Sequence, residues 1–296
     1  MNKRYYLVSV LMLSSLLTFG QAFAQDSPAV AQQPAVAAAN AQSDIIVLPA
    51  PNFKGATLKR DKSVKQVKLK QASKVQDESF DDNAWFTENQ LRLSELIYTV
   101  EPYIPRAAPD SYRKSEPIPA LMTYHEIPLM HVFESGGMQI YAYGDVYYHV
   151  LNLQIVKDGK VTHRLDFSNF TNRTTQYINW AIIENDILYV QHTGNGYAKG
   201  FKGQTSYLSA ISLKDNKILW TTKPLTANSR NFILSGNSII VGYGFTDEPD
   251  FLYVIDKFSG ERVQTIKLKN GPDFIAERDG QIYVKTYNQR YVFDIK

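Results

Sequence analysis

Apolar and polar positions in the C-terminal two thirds of the chain repeat one arrangement four times. Met130-His131-Val132-Phe133 leads through Ser135-Gly136-Gly137 to Ile140-Tyr141-Ala142-Tyr143, and Trp180-Ala181-Ile182-Ile183 leads through Asn185-Asp186 to Ile187-Leu188-Tyr189-Val190. Phe232-Ile233-Leu234 then leads through Gly236-Asn237 to Ile239-Ile240-Val241, and Phe274-Ile275-Ala276 through Asp279-Gly280 to Ile282-Tyr283-Val284. Each is a short apolar strand, a tight turn of Gly, Asn or Asp, and a second strand opening on isoleucine. The equivalent isoleucines at 140, 187, 239 and 282 fall 47, 52 and 43 residues apart. That spacing, with only strands in the unit, predicts an all-β fold, a β-propeller of four four-stranded blades between residues 117 and 296.

Upstream, the pattern is less regular. Asp44-Ile45-Ile46-Val47-Leu48 reads as a short strand stopped by Pro49 and Pro51. A helix is predicted over Asp82 to Val100, where Thr87 and Gln90 have capping-box spacing and Phe86, Leu93, Ile97 and Val100 share a face; Leu91-Arg92-Leu93 and Leu96-Ile97-Tyr98 also fit strands. Prolines at 102, 105, 109, 117, 119 and 128 exclude a long element from Glu101 to Pro128. Residues 44–116 therefore form an N-terminal extension of basic segment, helix and Pro-rich wrap, with 44 to 100 open to forming a fifth blade. Residues 1–24 read as a cleavable signal peptide: Lys3 and Arg4 precede an apolar run from Leu7 to Phe19, and Ala22-Phe23-Ala24 is a small-x-small cleavage pattern. Residues 25–43, rich in Ala, Gln and Pro, read as a flexible linker.

Composition narrows the function classes. With 0 Cys the chain has no disulfide framework, no thiolate metal site and no lipid-bearing cysteine. No run after the leader approaches the roughly 20 apolar residues of a spanning helix. Net charge is +3, and +1 once Lys3 and Arg4 leave with the leader, so nothing points to nucleic acid. Locally the balance differs: Lys54, Lys59, Arg60, Lys62, Lys65, Lys68, Lys70 and Lys74 stand against Asp61 alone. This basic segment reads as a solvated strand, Val67 and Leu69 inward and Lys68 and Lys70 outward, or as a contact for an anionic surface. The acids Asp77, Glu78, Asp81 and Asp82 directly downstream are placed to neutralise it.

A second phrase follows the hairpins. Ala210-Ile211-Ser212-Leu213-Lys214-Asp215-Asn216-Lys217-Ile218-Leu219-Trp220 resembles the quinoprotein-like propeller repeat, Ala-apolar-Asp-x-x-Thr-Gly-x-x-x-Trp, with Ser212 in the Asp slot and Asn216 in the Gly slot. Val254-Ile255-Asp256-Lys257-Phe258-Ser259-Gly260 matches its first half, and Gln264 stands where Trp would be. The resemblance implies a propeller in which Asp and Ser fix turns, Gly or Asn supplies positive φ, and Trp packs between blades. It does not carry over quinone chemistry: no cysteine pair and no acid constellation suits a calcium and quinone site. The chain is read as a non-catalytic member with no cofactor and no catalytic residues.

The candidate binding residues lie in loops. His192 to Gly203 is glycine-rich, but strands flank it where a phosphate loop needs a helix. It reads as a mobile loop offering Tyr197, Lys199, Phe201 and Lys202 to a ligand. Asp247, Glu248 and Asp250 read as an acidic loop, with weak calcium binding as the sharper alternative. His125 and His131, six apart with Glu126 beside them, make a metal conceivable, but Pro128 between them breaks helical spacing and no third ligand is apparent. The reading that follows is an exported module, periplasmic or secreted, that binds another envelope or secreted protein through its loops, assisted by Lys59, Arg60, Lys62, Lys65, Lys68 and Lys70. Its rivals are a propeller that binds a small ligand, glycan or cofactor, or acts as an enzyme, in its central channel, and a partial ring that closes by homodimerisation.

Overall fold

The computed structural model describes residues 44–53, 58–77, 79, 81–91, 93, 96–99, 123–144, 150–170, 176–194 and 196–296. The leader, the linker, the Pro-rich wrap as far as residue 122, Lys54, Glu78 and Val100 lie outside them.

In chain order come β1 (Ile45–Val47), β2 (Leu69–Gln76), a helix α1 (Asp82–Glu88), β3 (Leu96–Thr99) and β4 (Thr123–Tyr124). Four antiparallel units follow. Blade 1 is β5 (Ile127–Ser135), β6 (Met138–Tyr143), β7 (Asn152–Lys157) and β8 (Lys160–Asp166); blade 2 is β9 (Gln176–Glu184), β10 (Ile187–Gly194), β11 (Tyr207–Ser212) and β12 (Lys217–Thr221). Blade 3 is β13 (Ile233–Ser235), β14 (Ser238–Tyr243), β15 (Phe251–Asp256) and β16 (Arg262–Lys267). Blade 4 takes β17 (Pro272–Arg278), β18 (Gln281–Thr286) and β19 (Gln289–Ile295) from the C-terminus and its fourth strand, β2, from the basic segment. The fold is all-β and propeller-like. All four hairpins read from the sequence are present, their turns carried by positive φ at Gly136 and Gly137, Asn185 and Asp186, Gly236, and Asp279 and Gly280.

Burial follows strand position. Every residue of the central strands β11 and β14 is buried, because neighbouring sheets cover both faces, whereas β16 is largely exposed and β2 buries only Leu69. The expected inward Leu69 and outward Lys68 and Lys70 are observed.

One irregularity recurs in every blade. The third and fourth strands slip by a residue between Ile155 and Val156, Ala210 and Ile211, Val254 and Ile255, and Val292 and Phe293. Such a bulge re-aims the side chain beside it, and the fourth-strand residue at that point is His163, Trp220, Gln264 or Ser73. Three of these reach the next blade. His163 Nε2 lies 2.9 Å from the Leu213 carbonyl oxygen, and Trp220 Nε1 donates to the equivalent carbonyl of Lys257 at 3.2 Å. Gln264 brackets the Leu69 backbone, accepting from its N–H at 2.9 Å and donating to its C=O at 2.8 Å. The repetition of the bulge in β2 marks it as a true fourth strand. Where the other blades have a covalent turn between third and fourth strands, Lys68 and Lys296 exchange backbone hydrogen bonds.

The repeat residues behave as their chemistry requires. Asp256 Oδ1 accepts from Phe258 N, Ser259 N and Ser259 Oγ, fixing the turn, and Ser212 does the same with Asp215 in blade 2. Gly260 (φ 74°) lies beneath Trp220, whose ring a Cβ there would meet at 2.6 Å.

Residues 44–99 do not form a fifth blade. β1 pairs parallel with β8, β2 completes blade 4, and β3 pairs with β5 of blade 1. The fourth strand of blade 4 is thus supplied by the chain's own N-terminal part. The predicted helix is also shorter than its pattern. It ends at Glu88, is capped by the Asp81 side chain on Ala84 N rather than by Thr87, and stops as Gln90 turns to φ 51°. Leu96–Thr99 takes the strand alternative because β5 offers it a free edge.

Among the described residues the acids Asp77, Asp81 and Asp82 are engaged elsewhere than with the basic segment. Asp77 pairs with Arg290 and Lys285, Asp82 pairs with Lys285, and Asp81 caps the helix. The basic segment instead docks by its backbone and its neutral side chains: Val67 N–H donates to Ser238 Oγ, Asn237 Nδ2 to the Lys65 carbonyl, and Gln66 Nε2 to Asp256 Oδ2. Lys59, Lys62, Lys65, Lys68 and Lys70 stay exposed, while Arg60 turns inward to Asp256 at 3.6 Å.

Candidate ligand-binding face

Antiparallel blades put their turns on two opposite faces. The hairpins β5–β6, β9–β10, β13–β14 and β17–β18 lie on one; the connections within β10–β11, β14–β15 and β18–β19, and those between blades, lie on the other. Each face carries a cleft of about 500 Å³.

The cleft on the hairpin face is about 500 Å³, lined by Ser135, Met138, Ile183, Glu184 and Leu234 among others. Two of its polar side chains, Ser135 and Glu184, are engaged across blade boundaries. Ser135 Oγ donates to the Ile183 carbonyl at 2.8 Å and accepts from Ile183 N–H at 3.0 Å, and Glu184 pairs with Lys257. This arrangement joins blades.

The loop face differs. The loops β10–β11 (195–206) and β14–β15 (244–250), flagged separately in the sequence, are brought together by Glu248. Its Oε1 accepts from Ala198 N–H at 2.7 Å, and its Oε2 accepts from the Tyr243 hydroxyl. Tyr197 lies against Phe245, ring centroids 5.6 Å apart. Tyr197, Lys199 and Lys202 are exposed. Phe201 is not: it is 6% exposed and fills the space beside Gly194, where a Cβ would meet its ring at 2.4 Å. It anchors the loop while its neighbours face solvent. The three acids of the second loop separate, Asp247 to solvent, Glu248 to blade 2 and Asp250 into a cleft of about 530 Å³.

That cleft lies between the blade 3 loop, the connection from blade 3 to blade 4 and the β18–β19 turn, and includes Gly244, Phe245, Asp250, Asn270, Asp273 and Tyr287. Two glycines make it. Gly244 and Gly271 approach so closely that a Cβ on Gly244 would stand 2.0 Å from Asp250 Oδ1 and 2.7 Å from Gly271 Cα. The frame is tied by hydrogen bonds: Asn228 exchanges bonds with both backbone groups of Gly244, Leu268 N–H donates to the Asp250 carbonyl, and Lys269 N–H donates to the Tyr291 hydroxyl. Inside it, Asp250 Oδ1 and Asn270 Oδ1 are buried without a hydrogen-bond partner. Burial pushes the Asp250 carboxyl up to about 6. Burial also raises the Asp273 carboxyl, against the pull of Arg230 at 3.5 Å.

The sequence pointed to Asp250 but not to Asn270, Asp273 or Tyr287. A signal was present, because Gly244 and Gly271 each sit just outside a blade strand, where close backbone approach is the usual reason for glycine.

The two histidines of the metal reading do not converge. His125 and Glu126 occupy the β4–β5 turn at φ 48° and 67°, and His131 is buried in β5, where burial lowers its pKa to about 4. Among the described residues no group of three His, Asp or Glu is placed to hold a metal ion, and no helix is long and apolar enough to cross a membrane.

No protein-family model and no curated protein sequence matches the chain. Solved structures similar to it include the computationally designed Ika4 protein, at 10% identity and a TM-score of 0.38, covering 55% of this chain and 88% of that one. BamB from Moraxella catarrhalis is similar at 8% identity and a TM-score of 0.31, covering 54% of this chain and 56% of that one. A chain of the mitotic checkpoint complex is similar at 10% identity and a TM-score of 0.39, covering 55% and 46% respectively. The chain therefore spans about half the length of the BamB and checkpoint chains.

Proposed function

We propose that the protein is an exported propeller module that binds another protein through its loop face. The observation that carries this reading is the bridge at Glu248. Two loops from different blades are held in one rigid surface by a carboxylate that satisfies a backbone N–H in one and a tyrosine hydroxyl in the other. Such coupling costs two loops their freedom, which a purely connecting loop has no need to give up. The surface so fixed presents Tyr197, Lys199 and Lys202, with Tyr287 on the neighbouring blade 64% exposed. Exposed tyrosines on a rigid frame are the usual anchors of protein interfaces. The leader-like residues 1–24 supply the case for export, and the exposed lysines of the basic segment form a second, electrostatic contact on the outer edge of blades 3 and 4.

Site-directed photocrosslinking in the native envelope tests the reading. A crosslinker at Tyr197 or Tyr287 is expected to capture a discrete partner, and one at Asp158, in the β7–β8 turn on the opposite face, is not. Equal capture from both faces, or none from the loop face, overturns it.

A further inference from the structure

The loop-face cleft has an uneven hydrogen-bonding balance. Of the residues lining it, those with buried atoms lacking a hydrogen-bond partner are Asp250 (Oδ1) and Asn270 (Oδ1), both acceptors; Asn288 Oδ1 follows Tyr287 in the adjoining turn, and the donor Arg230 Nε, behind Asp273, is held by that carboxylate at 3.5 Å. A buried acceptor left unpaired costs the desolvation free energy of that group. Here two glycines, a reciprocal asparagine clip and a backbone bond from Leu268 hold the frame around Asp250 at that cost. The other carboxylate of the cleft, Asp273, has Arg230 at 3.5 Å, whereas Asp250 is in no ion pair among the described residues, with Lys269 as the cation that also lines the cleft. Phe245 and Tyr287 add aromatic surface, and the cleft's volume of about 530 Å³ has ample room for a side chain to enter.

We infer that this cleft receives an arginine side chain of the partner protein, its guanidinium donating to Asp250 and Asn270 and stacking on Phe245 or Tyr287. A guanidinium carries several donors and no acceptor in a flat fork, binds carboxylates with two bonds, and stacks on aromatic rings. These are the properties the cleft leaves unmatched. A lysine ammonium supplies charge without the fork or the stacking face, and a neutral sugar brings as many acceptors as donors. The inference rests on the loop face being a protein-binding surface and names the side chain that would enter it.

Charge in the cleft is set by a short roster: Asp250 itself, Asp273 with Arg230, and Lys269 on the connection, with Asp247 and Glu248 on the same loop as Asp250. Because burial holds the Asp250 carboxyl up to about 6, it is ionised at neutral pH and largely protonated near pH 5, so the arginine site weakens about tenfold across that interval.

The test is an NMR titration of the purified protein with the blocked tripeptide Gly-Arg-Gly, against the same peptide carrying citrulline, the neutral isostere. Near neutral pH, shifts are expected at 244–250, 269–273 and 287, with the citrulline peptide about tenfold weaker. Asp250→Asn is expected to reduce arginine binding to the citrulline level while keeping, or raising, thermal stability at neutral pH, since it removes an uncompensated buried charge. Tyr287→Ala, at an exposed position, is expected to weaken binding severalfold without moving the melting temperature. Equal binding of the two peptides, shifts elsewhere on the molecule, no saturable shift, or stronger perturbation of the same cleft by N-acetylglucosamine overturns the inference. If crosslinkers on the loop face still capture a partner from Asp250→Asn with undiminished yield, the interaction surface stands and the arginine site falls.

Discussion

The junction of blades 2 and 3 and the junction of blades 4 and 1 solve the same packing problem with opposite chemistry. At the first, Trp220 projects from the bulge of β12, lies on Gly260 and donates to the Lys257 carbonyl. Everything it uses lies within one repeat length of it. At the second, the residue in the equivalent place is Ser73, which is exposed, and α1 packs on blade 4 with its buried Trp85 and Phe86. Phe86 packs edge-on against Phe274 of blade 4 at 5.1 Å, Arg278 donates to the Asn89 carbonyl, and β3 continues the sheet of blade 1. Charges hold this insert. Lys285, 2% exposed, lies between Asp77 and Asp82 at 3.4 and 3.2 Å, and Arg290 joins Asp77 to Glu88. Between these two junctions the difference is that the propagated one relies on a buried tryptophan ring, whereas the one that joins distant ends adds a cluster of ion pairs to its aromatic contact. Ion pairs fix geometry well and add stability poorly.

If that contrast holds, the two junctions must fail differently. Trp220→Ala removes a side chain 2% exposed together with its hydrogen bond, and is expected to cost about 3–5 kcal/mol in guanidinium unfolding at every pH where the protein is folded. A loss below about 1 kcal/mol would show that the tryptophan fills space that its neighbours can close. Lys285→Met keeps the volume and removes the charge. It is expected to cost about 3 kcal/mol near neutral pH, because Asp82 loses its cation and Asp77 keeps only Arg290. The part of this cluster that must depend on pH is Asp77 with Arg290 and Ser79. Burial alone would raise the Asp77 carboxyl, but hydrogen bonds from Arg290 and Ser79 more than reverse it and hold it well below the usual carboxylate range. A depressed carboxylate gives its stability above its unfolded pKa, about 3.8, and loses it as pH falls through the folded value. The stability that Arg290 and Ser79 lend Asp77 should therefore be lost below about pH 4, so an Arg290→Met variant should approach wild type there, while the cost of Trp220→Ala stays constant. His192 acts on both variants alike. Burial lowers it to about 3, so the unfolded chain gains a proton first as pH drops below about 6.5, and both proteins lose stability from there.

The same contrast decides what could be read from the sequence. Hairpins, turns and the roles of Trp220, Asp256 and Gly260 were legible because each depends on residues a few places away or one repeat away, and alternation and turn chemistry are local signals. β2 was not legible as a blade strand. Seven of its eight residues are exposed, so no face of it is written in apolar residues, and its evidence is a pairing partner more than 200 positions downstream. The acids after it misled for a related reason: sequence proximity suggested the lysines as partners, whereas backbone direction carries Asp77 and Asp82 to Lys285 and Arg290. The candidate face was half legible. Tyr197, Glu248 and Asp250 stood out as loop residues, but that Glu248 binds the other loop, or that Asp250 shares a cleft with Asn270 and Tyr287, is set by blade order.

The junction of blades 3 and 4 lies between these extremes and gives the smallest effect. Gln264 stands in the tryptophan position of the repeat, yet it holds β2 by two hydrogen bonds to Leu69 rather than by area. Gln264→Ala should cost only about 1 kcal/mol of global stability, the net worth of an exchange in which water replaces the lost bonds. Its local consequence should be larger than its global one, since β2 has no covalent turn at that end and depends on Lys68, Lys296 and Gln264 to stay in register. Hydrogen exchange of the amides from Leu69 to Ser73 should accelerate about fivefold or more while those of β18 remain unchanged. Uniform acceleration across blade 4 would mean that β2 and the C-terminal strands open as one unit. The N-terminal strand would then be an integral member of the blade, and the distinction between a propagated junction and a joined one would vanish at this point of the ring.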